Sequence, residues 1–161
     1  MSPGQNEWDK GFYNDARASM ETARGLNTNV QRVKEIDTML KGIPTGSLST
    51  QATAMVSEFL GINKEQVGNY QAAMARMGEG VLGKAKVLYP MSDADKQFLF
   101  KMEPGVFQTP GGRAKVIYVL ERQAKMADTL AKFNTDVAQA VTEGKFTVSE
   151  GYKRMALKER S

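Results

Sequence analysis

The sequence contains no cysteine and no histidine among its 161 residues. Without cysteine the chain has no disulfide, no thiolate metal site and no thiol nucleophile. Without histidine it also lacks the side chain that enzymes most often use as a general base and that most often binds transition metals.

Long apolar runs are missing as well. The longest, Val116–Leu120 with Tyr118 inside it, is far shorter than the roughly 20 residues that a membrane-spanning helix needs. Residues 1–7 do not place a basic segment before an apolar one, so we expect no secretory signal.

Paired carboxylates are the only catalytic equipment that remains, with Asp93 and Asp95, or Glu58 and Glu79, as the candidates. Asp93 and Asp95 stand two residues apart in the first turn of a predicted helix, so they do not face each other across a cleft. The helix dipole stabilises acidic side chains in the first turn of a helix, and this role is sufficient to explain Asp93 and Asp95. We therefore predict no catalytic, cofactor-binding or metal-binding residues, no cofactor, no small-molecule substrate and no enzymatic activity.

Apolar residues recur with helical spacing along most of the chain, which predicts an all-α fold. We predict one helical domain over residues 1–161, an elongated bundle with two long helices, about 6–41 and 110–143, and three or four shorter ones. Turns are expected near 42–48, 89–92 and 104–109, and frayed ends at 1–5 and 158–161. One of the shorter helices is predicted from Asn63 to about residue 88, interrupted by Gly68, Gly78, Gly80 and Gly83, where a bend or a close approach of another helix is expected.

Capping residues mark most of the predicted boundaries. The predicted helix starts are Ser49 or Thr50, Asn63 with Gln66 in a capping box, Ser92, Thr109-Pro110 and Ser149. The predicted glycine stops are Gly42, followed by Pro44, then Gly61 and Gly144. Pro90 is expected to end the helix before it.

Helices of about 30–35 residues would be about 45–50 Å long, which exceeds the diameter of a compact domain of this size. Their apolar faces would then need partners beyond the chain itself, so we predict a homo-oligomer. A self-contained, somewhat long bundle is the alternative. Candidate interface residues are Trp8, Phe12 and Tyr13, an aromatic cluster, together with Met74 and Met77. Packing of the aromatic cluster against the chain's own core is the equal alternative.

Charge is distributed unevenly. Residues 81–161 carry fourteen Lys and Arg against nine Asp and Glu, whereas residues 1–80 carry eight against nine. A basic half can favour contact with nucleic acid. The candidate phosphate contacts are Arg113, Lys115, Arg122 and Lys125, near the start of the second long helix. The basic residues of this half alternate with acidic ones along the helices, which is also typical of an ordinary solvent-exposed helix face.

Two segments carry a resemblance to a known group. One is Ile43-Pro44-Thr45-Gly46-Ser47-Leu48, which follows a helix containing Val33-Lys34-Glu35-Ile36-Asp37-Thr38-Met39-Leu40. The other runs Leu88-Tyr89-Pro90-Met91-Ser92-Asp93-Ala94-Asp95-Lys96-Gln97-Phe98-Leu99, then Pro104-Gly105 and Thr109-Pro110-Gly111-Gly112. Over residues 30–135 the order of these motifs resembles a helical module of tailed-bacteriophage virion proteins of the internal, DNA-transfer or ejection type. The motifs are caps and turns, so the resemblance implies no active-site residues.

The resemblance implies a non-enzymatic structural protein of the virion, an internal, ejection or head–tail channel component. Such a protein would form a helical ring or tube and aid viral genome ejection. Its expected partners are copies of itself and other virion proteins, such as portal, tail or ejection proteins, and its expected location is the virion, after the host cytoplasm. Two alternatives stay open: a basic helical protein that binds DNA, and a small scaffold or adaptor that binds one protein partner.

Overall fold

The computed structural model describes residues 3–42, 47–87 and 91–160, and the side chains in these ranges apart from those of residues 3–9, 82, 84–87, 104 and 160. The described residues form seven α-helices and one 3₁₀ helix, with no strand, so the predicted all-α fold class is confirmed. The α-helices are α1 (Pro3–Lys41), α2 (Thr50–Leu60), α3 (Lys64–Val67), α4 (Tyr70–Val87), α5 (Asp93–Phe100), α6 (Pro110–Thr142) and α7 (Val148–Arg160). The 3₁₀ helix, Pro104–Gln108, lies where a turn was predicted.

The two long helices are present close to their predicted bounds. α1 passes through Gly25 without interruption, although a weak helix former at this position favours a break. None of the helices in the described ranges has the length and apolar content of a membrane span.

The helix predicted from Asn63 to about residue 88 is divided in two at Gly68. Gly68 has φ +77° and ψ −159°, a backbone conformation that is essentially restricted to glycine. The chain then begins α4, where the Asn69 side chain accepts a hydrogen bond of 2.8 Å from the Ala72 amide. This division adds one helix to the predicted set.

Three predicted hydroxyl caps are confirmed. The side chains of Ser49, Ser92 and Thr109 accept hydrogen bonds of 3.1, 3.2 and 3.0 Å from the amides three residues further on. The Gln66 side chain accepts a bond of 2.9 Å from the Asn63 amide, as expected in a capping box. Gly61 and Gly144 adopt the left-handed conformation predicted for helix stops.

The sequence-based boundaries were wrong at several positions. Gly42 follows α1 without a left-handed conformation. α7 begins after Thr147, whose hydroxyl accepts a bond of 3.2 Å from the Glu150 amide, so Ser149 is not its cap. Of the ends predicted to fray, residues 3–5 lie within α1 and residues 158–160 within α7, where Lys158 lies 5.6 Å from the Phe133 ring centroid. The predicted roles of Pro44 and Pro90 lie outside the described residues.

The chain divides into two compact units. Unit 1 comprises residues 1–26 and 124–161, and its core contains Phe12, Ala16, Val137, Ala138 and Met155. The Asn134 side chain donates a hydrogen bond of 2.7 Å to the Ser19 hydroxyl. Because α1 and α6 are each continuous through both units, the division leaves the prediction of a single domain untested.

Unit 2 comprises residues 27–123. Within it α2 packs against α3 and α4, and α4 packs against the 3₁₀ helix. Its fully buried side chains include Val56, Val67, Met74, Met77, Val81 and Phe107. The Tyr70 hydroxyl, at the start of α4, donates a hydrogen bond of 2.8 Å to the Gln108 carbonyl and so ties these two elements together.

Candidate functional site

An open groove lies in unit 2 between α5, the 3₁₀ helix and the first turns of α6. It encloses about 740 Å³, and its lining includes Ala94, Phe98, Lys101, Val106, Gly112 and Lys115. A second hollow of about 430 Å³ shares Phe98 and Lys115 with it and extends to Tyr118 and Val119. We call the two together the α5–α6 groove. Most of its lining residues lie between Ala94 and Gly112.

The short turns between α5 and α6 give the groove its shape. After α5 the Lys101 amide still bonds to the Gln97 carbonyl at 3.0 Å, and the backbone then becomes extended at Glu103. The Val106 amide bonds back to the Glu103 carbonyl at 3.0 Å, which begins the 3₁₀ helix. α6 starts immediately afterwards, with Pro110 at its first position, where the missing N–H has no helical partner to lose.

Gly112 allows the 3₁₀ helix and α6 to approach closely. A Cβ atom at this position would overlap the Val106 carbonyl oxygen and lie 2.9 Å from the carbonyl carbon. Since both of these atoms belong to the backbone, no rotation of a side chain would relieve the overlap. The glycine in the Thr109-Pro110-Gly111-Gly112 motif therefore fixes one wall of the groove.

Arg113 supports the groove from the interior of unit 2. Its Nε atom lies 2.8 Å from Oδ1 of Asp37, and its Nη1 donates to the Phe107 carbonyl at 2.8 Å and to the Tyr70 hydroxyl at 3.3 Å. Lys41 lies 3.1 Å from the other oxygen of Asp37. The guanidinium thus links α1, α4 and the 3₁₀ helix to the beginning of α6.

One edge of the groove carries a charged aromatic cluster of Asp95, Tyr118 and Arg122. The Arg122 Nε atom lies 3.4 Å from the buried carboxylate of Asp95, and its guanidinium lies 5.6 Å from the centroid of the Tyr118 ring. The hydrogen bond to the Tyr118 hydroxyl, and secondarily the charge of Asp95, raise the pKa of Arg122 above its ordinary value. The guanidinium of Arg122 is therefore held in place by Asp95 and Tyr118, which belong to the same unit.

The groove and its edge expose apolar surface. Tyr118 is 59% exposed, and Phe98 is half-buried in the lining. Lys101 and Lys115 are exposed and have no ion pair with any residue that the structure describes. An exposed apolar patch with polar or charged residues at its rim is typical of a protein-binding site.

The predicted interface residues are mostly internal. Phe12, Met74 and Met77 are each 0% exposed, so they pack into the cores of their own units, and the interface prediction is wrong for these three. Tyr13 is 38% exposed, and its hydroxyl is hydrogen-bonded to Thr142 at 2.8 Å. Trp8 belongs to α1, but its side chain lies outside the described set.

The four predicted phosphate contacts differ in exposure and in the unit to which they belong. Arg113 is 1% exposed and bonded to Asp37, so the phosphate prediction is wrong for it. Lys115 and Arg122 are on the surface of unit 2, whereas Lys125 is an exposed residue of unit 1. Of the four, only Lys115 lines the groove.

Sequence reasoning missed Phe98 and Tyr118 as surface residues of the site. Both lie in short apolar stretches that favour assignment to the core. The available signal was helical phase, because Tyr118 lies 100° around α6 from the buried positions Ile117 and Val119.

Among the residues that the structure describes, no three acidic, cysteine or histidine side chains are placed to hold a metal ion together. Comparisons with protein families, curated proteins and solved structures found no match to this chain.

Proposed function

We propose that this chain is a non-enzymatic structural protein of a tailed-phage virion, an internal, ejection or head–tail channel component that assembles with copies of itself and other virion proteins. One observation carries the proposal. The described part of the second segment of the resemblance, residues 91–112, supplies most of the lining of an open groove, in which the half-buried Phe98 lies near the exposed Tyr118.

The character of the groove supports a role in binding a protein. Its lining combines apolar side chains with flexible lysines, and its floor is fixed by the buried Arg113 network. A rigid base beneath an exposed aromatic edge suits a protein segment inserted into it, because ordering the site costs little additional entropy on binding.

Mass spectrometry of purified virions from the encoding phage tests the proposal. We expect peptides of this chain in a fixed ratio to the capsid protein after gradient purification and nuclease treatment. A host cytoplasmic protein of similar abundance serves as the control for carry-over. Absence of the chain from such particles contradicts the virion role and favours the scaffold or adaptor alternative.

Binding to nucleic acid is the weaker candidate. Arg113 is buried and Arg122 is paired, which leaves Lys115 and Lys125 as the exposed members of the predicted set. If the chain binds duplex DNA through its basic half, the affinity must fall steeply as salt is raised. A binding titration at two salt concentrations, repeated with Lys115→Ala and Lys125→Ala together, distinguishes this alternative from protein assembly.

A further inference from the structure

Two lysines of the α5–α6 groove have no ionic partner within the described part of the chain. Lys101 is the C-terminal cap of α5 and lines the main part of the groove. Lys115, in the second turn of α6, lines both the main part and the smaller hollow. Both residues are exposed, and neither belongs to any of the ion pairs among the described residues. The groove therefore offers two ammonium groups to an incoming anion.

The acidic groups of the groove leave this positive charge in excess. Asp95, which lines the smaller hollow, is buried, and its Oδ2 atom lies 3.4 Å from Nε of Arg122, so it has a cation of its own. Glu103 is exposed and is the only acidic residue among those that line the main part. Two lysines against one glutamate leave that part with a net charge of +1. Charge complementarity therefore favours an anionic ligand and opposes a cationic one.

Apolar surface adjoins the two lysines. Phe98 is half-buried and lines both parts of the groove. Tyr118 is 59% exposed and follows Lys115 by three residues in α6, and residues at this spacing are neighbours on a helix surface. Met102 and Val106 add further apolar surface to the main lining. A ligand that covers this surface and also reaches the lysines must carry a large apolar side chain close to its negative charges.

We infer that the α5–α6 groove binds a short acidic segment of another virion protein. A large apolar side chain of that segment packs against Phe98 and Tyr118, and its carboxylates lie beside Lys101 and Lys115. The inference rests on the proposed function and names the chemistry of the partner. The main part of the groove, about 740 Å³, is within the range of about 300–1,000 Å³ found for ligand sites, so it accommodates a few residues and not a folded domain.

A nucleic acid suits the groove less well. Single-stranded DNA would supply negative charge, but proteins that bind it stack successive bases on aromatic side chains along a basic channel. The α5–α6 groove has two aromatic residues in its lining, of which Phe98 is half-buried, and Glu103 stands beside its lysines. The remaining apolar lining matches an amino-acid side chain better than a row of bases.

Calorimetric titration of the chain with a synthetic peptide tests the inference. The probe is Glu-Glu-Trp-Glu-Glu with blocked ends, which places one large apolar side chain among carboxylates. We expect saturable binding with one site per chain. Absence of binding at up to about 1 mM peptide overturns the inference.

The lack of cysteine allows the site of binding to be located with a single attached fluorophore. Gln97 is an exposed residue of the main lining, so an environment-sensitive dye attached through Gln97→Cys reports on occupancy of the groove. Ser149→Cys places the same dye on an exposed position of unit 1. We expect the peptide to change the emission of the first dye and not of the second, and equal responses overturn the inference.

Charge variants give the sign of the effect. Lys101→Glu with Lys115→Glu should weaken peptide binding by about tenfold or more, whereas Glu103→Gln should strengthen it by about two- to fivefold. The matched control is Lys132→Glu with Lys153→Glu, which changes the net charge equally at exposed lysines of unit 1 that have no ion pair among the described residues. The control should bind as the unmodified chain does. Equal weakening by the two double variants, with circular dichroism unaltered, overturns the inference.

Two further peptides separate the two kinds of contact. Glu-Glu-Ala-Glu-Glu lacks the apolar side chain and Lys-Lys-Trp-Lys-Lys reverses the charge, and each should bind at least about tenfold more weakly than the probe. Tighter binding of oligothymidine than of the probe would make the groove a nucleic-acid site and overturn the inference. None of these assays uses virions, so failure of the probe to bind, with the chain present in purified particles, rejects this partner alone and leaves the proposed function standing.

Discussion

Arg113 and Asp37 form an ion pair in the interior of unit 2, with 2.8 Å between the guanidinium Nε and the carboxylate Oδ1. Both side chains are more than nine-tenths buried. Breaking a buried pair by removing one partner is costly because the remaining charge keeps its desolvation penalty. The same guanidinium also satisfies the Phe107 carbonyl, so its loss would loosen the base of the α5–α6 groove.

We therefore predict that Arg113→Met destabilises the fold by about 3–5 kcal/mol, towards the lower end because Lys41 still pairs with Asp37. Chemical denaturation followed by circular dichroism measures this. Lys34→Ala, which removes an exposed ion pair with Glu121, is the control and should cost less than about 1 kcal/mol. Adding Asp37→Leu to Arg113→Met should recover part of the loss, and no recovery would contradict the charge-burial explanation.

Gly112 and Gly111 are neighbours with opposite expected responses to alanine. At Gly112 the new methyl group would overlap the Val106 backbone, so we predict a loss of about 1–3 kcal/mol. At Gly111 no heavy atom lies within 4 Å of the new carbon, so alanine should be neutral or stabilising by up to about 1 kcal/mol. Thermal melts of the two variants measure the difference, and equal melting temperatures would contradict the close approach described here.

Gly68→Ala should destabilise unit 2 by about 1–3 kcal/mol, since the conformation at the junction of α3 and α4 is one that residues with a Cβ atom rarely adopt. Gly25→Ala is the matched control. It lies within α1 with no heavy atom within 4 Å of the added carbon, and it should stabilise the helix by about 0.5–1 kcal/mol. Denaturation midpoints of both variants test the pair. A stabilised Gly68→Ala would mean that the chain continues as one helix there.

Tyr152 gives a prediction at alkaline pH. Burial in unit 1, and secondarily the charge of Asp15 and a hydrogen bond to it, raise the pKa of Tyr152 above its ordinary value of 10.0. The unfolded chain therefore loses this proton at lower pH than the folded chain does. The stability contributed by the neutral phenol is complete below pH 10 and is lost as pH rises through the folded-state pKa.

Tyr152→Phe should remove that part of the alkaline loss. Denaturation midpoints measured from neutral to strongly alkaline pH, for the original chain and the variant, give the comparison. Absorbance of the ionised phenol provides a direct check on the assignment. Parallel midpoint curves would exclude Tyr152 as a source of the pH dependence.

The features that could be predicted from the sequence are those determined by a few adjacent residues. Ser92 and Thr109 cap helices as expected because a capping hydroxyl acts on an amide only three residues away. The stripe of α1 was recognisable for the same reason, since its period repeats locally. The sequence predicted a turn near 104–109, and the structure has a 3₁₀ helix at Pro104–Gln108. The sequence did not distinguish the two, because a turn and a 3₁₀ helix differ only by small backbone rotations.

The features that were missed depend on residues far apart in the chain. Arg113 looked like a surface cation because its partner Asp37 lies 76 residues earlier, and no local pattern links the two. Met74 and Met77 were recognisable as apolar, but whether their seam meets another copy or the chain's own 3₁₀ helix depends on how the whole unit packs. The groove exists only after three separate elements meet.

Unit 2 is one unbroken stretch of chain, while unit 1 is made from both ends. During synthesis, residues 27–123 can therefore pack as soon as they emerge, whereas Phe12 must wait for Val137 and Met155, which are made near the end. A chain that ends just after α6 begins would lack the residues that cover the apolar side of α1 within residues 1–26. The newly made protein is thus most open to proteolysis and misassociation at its earliest residues, until its last ones arrive.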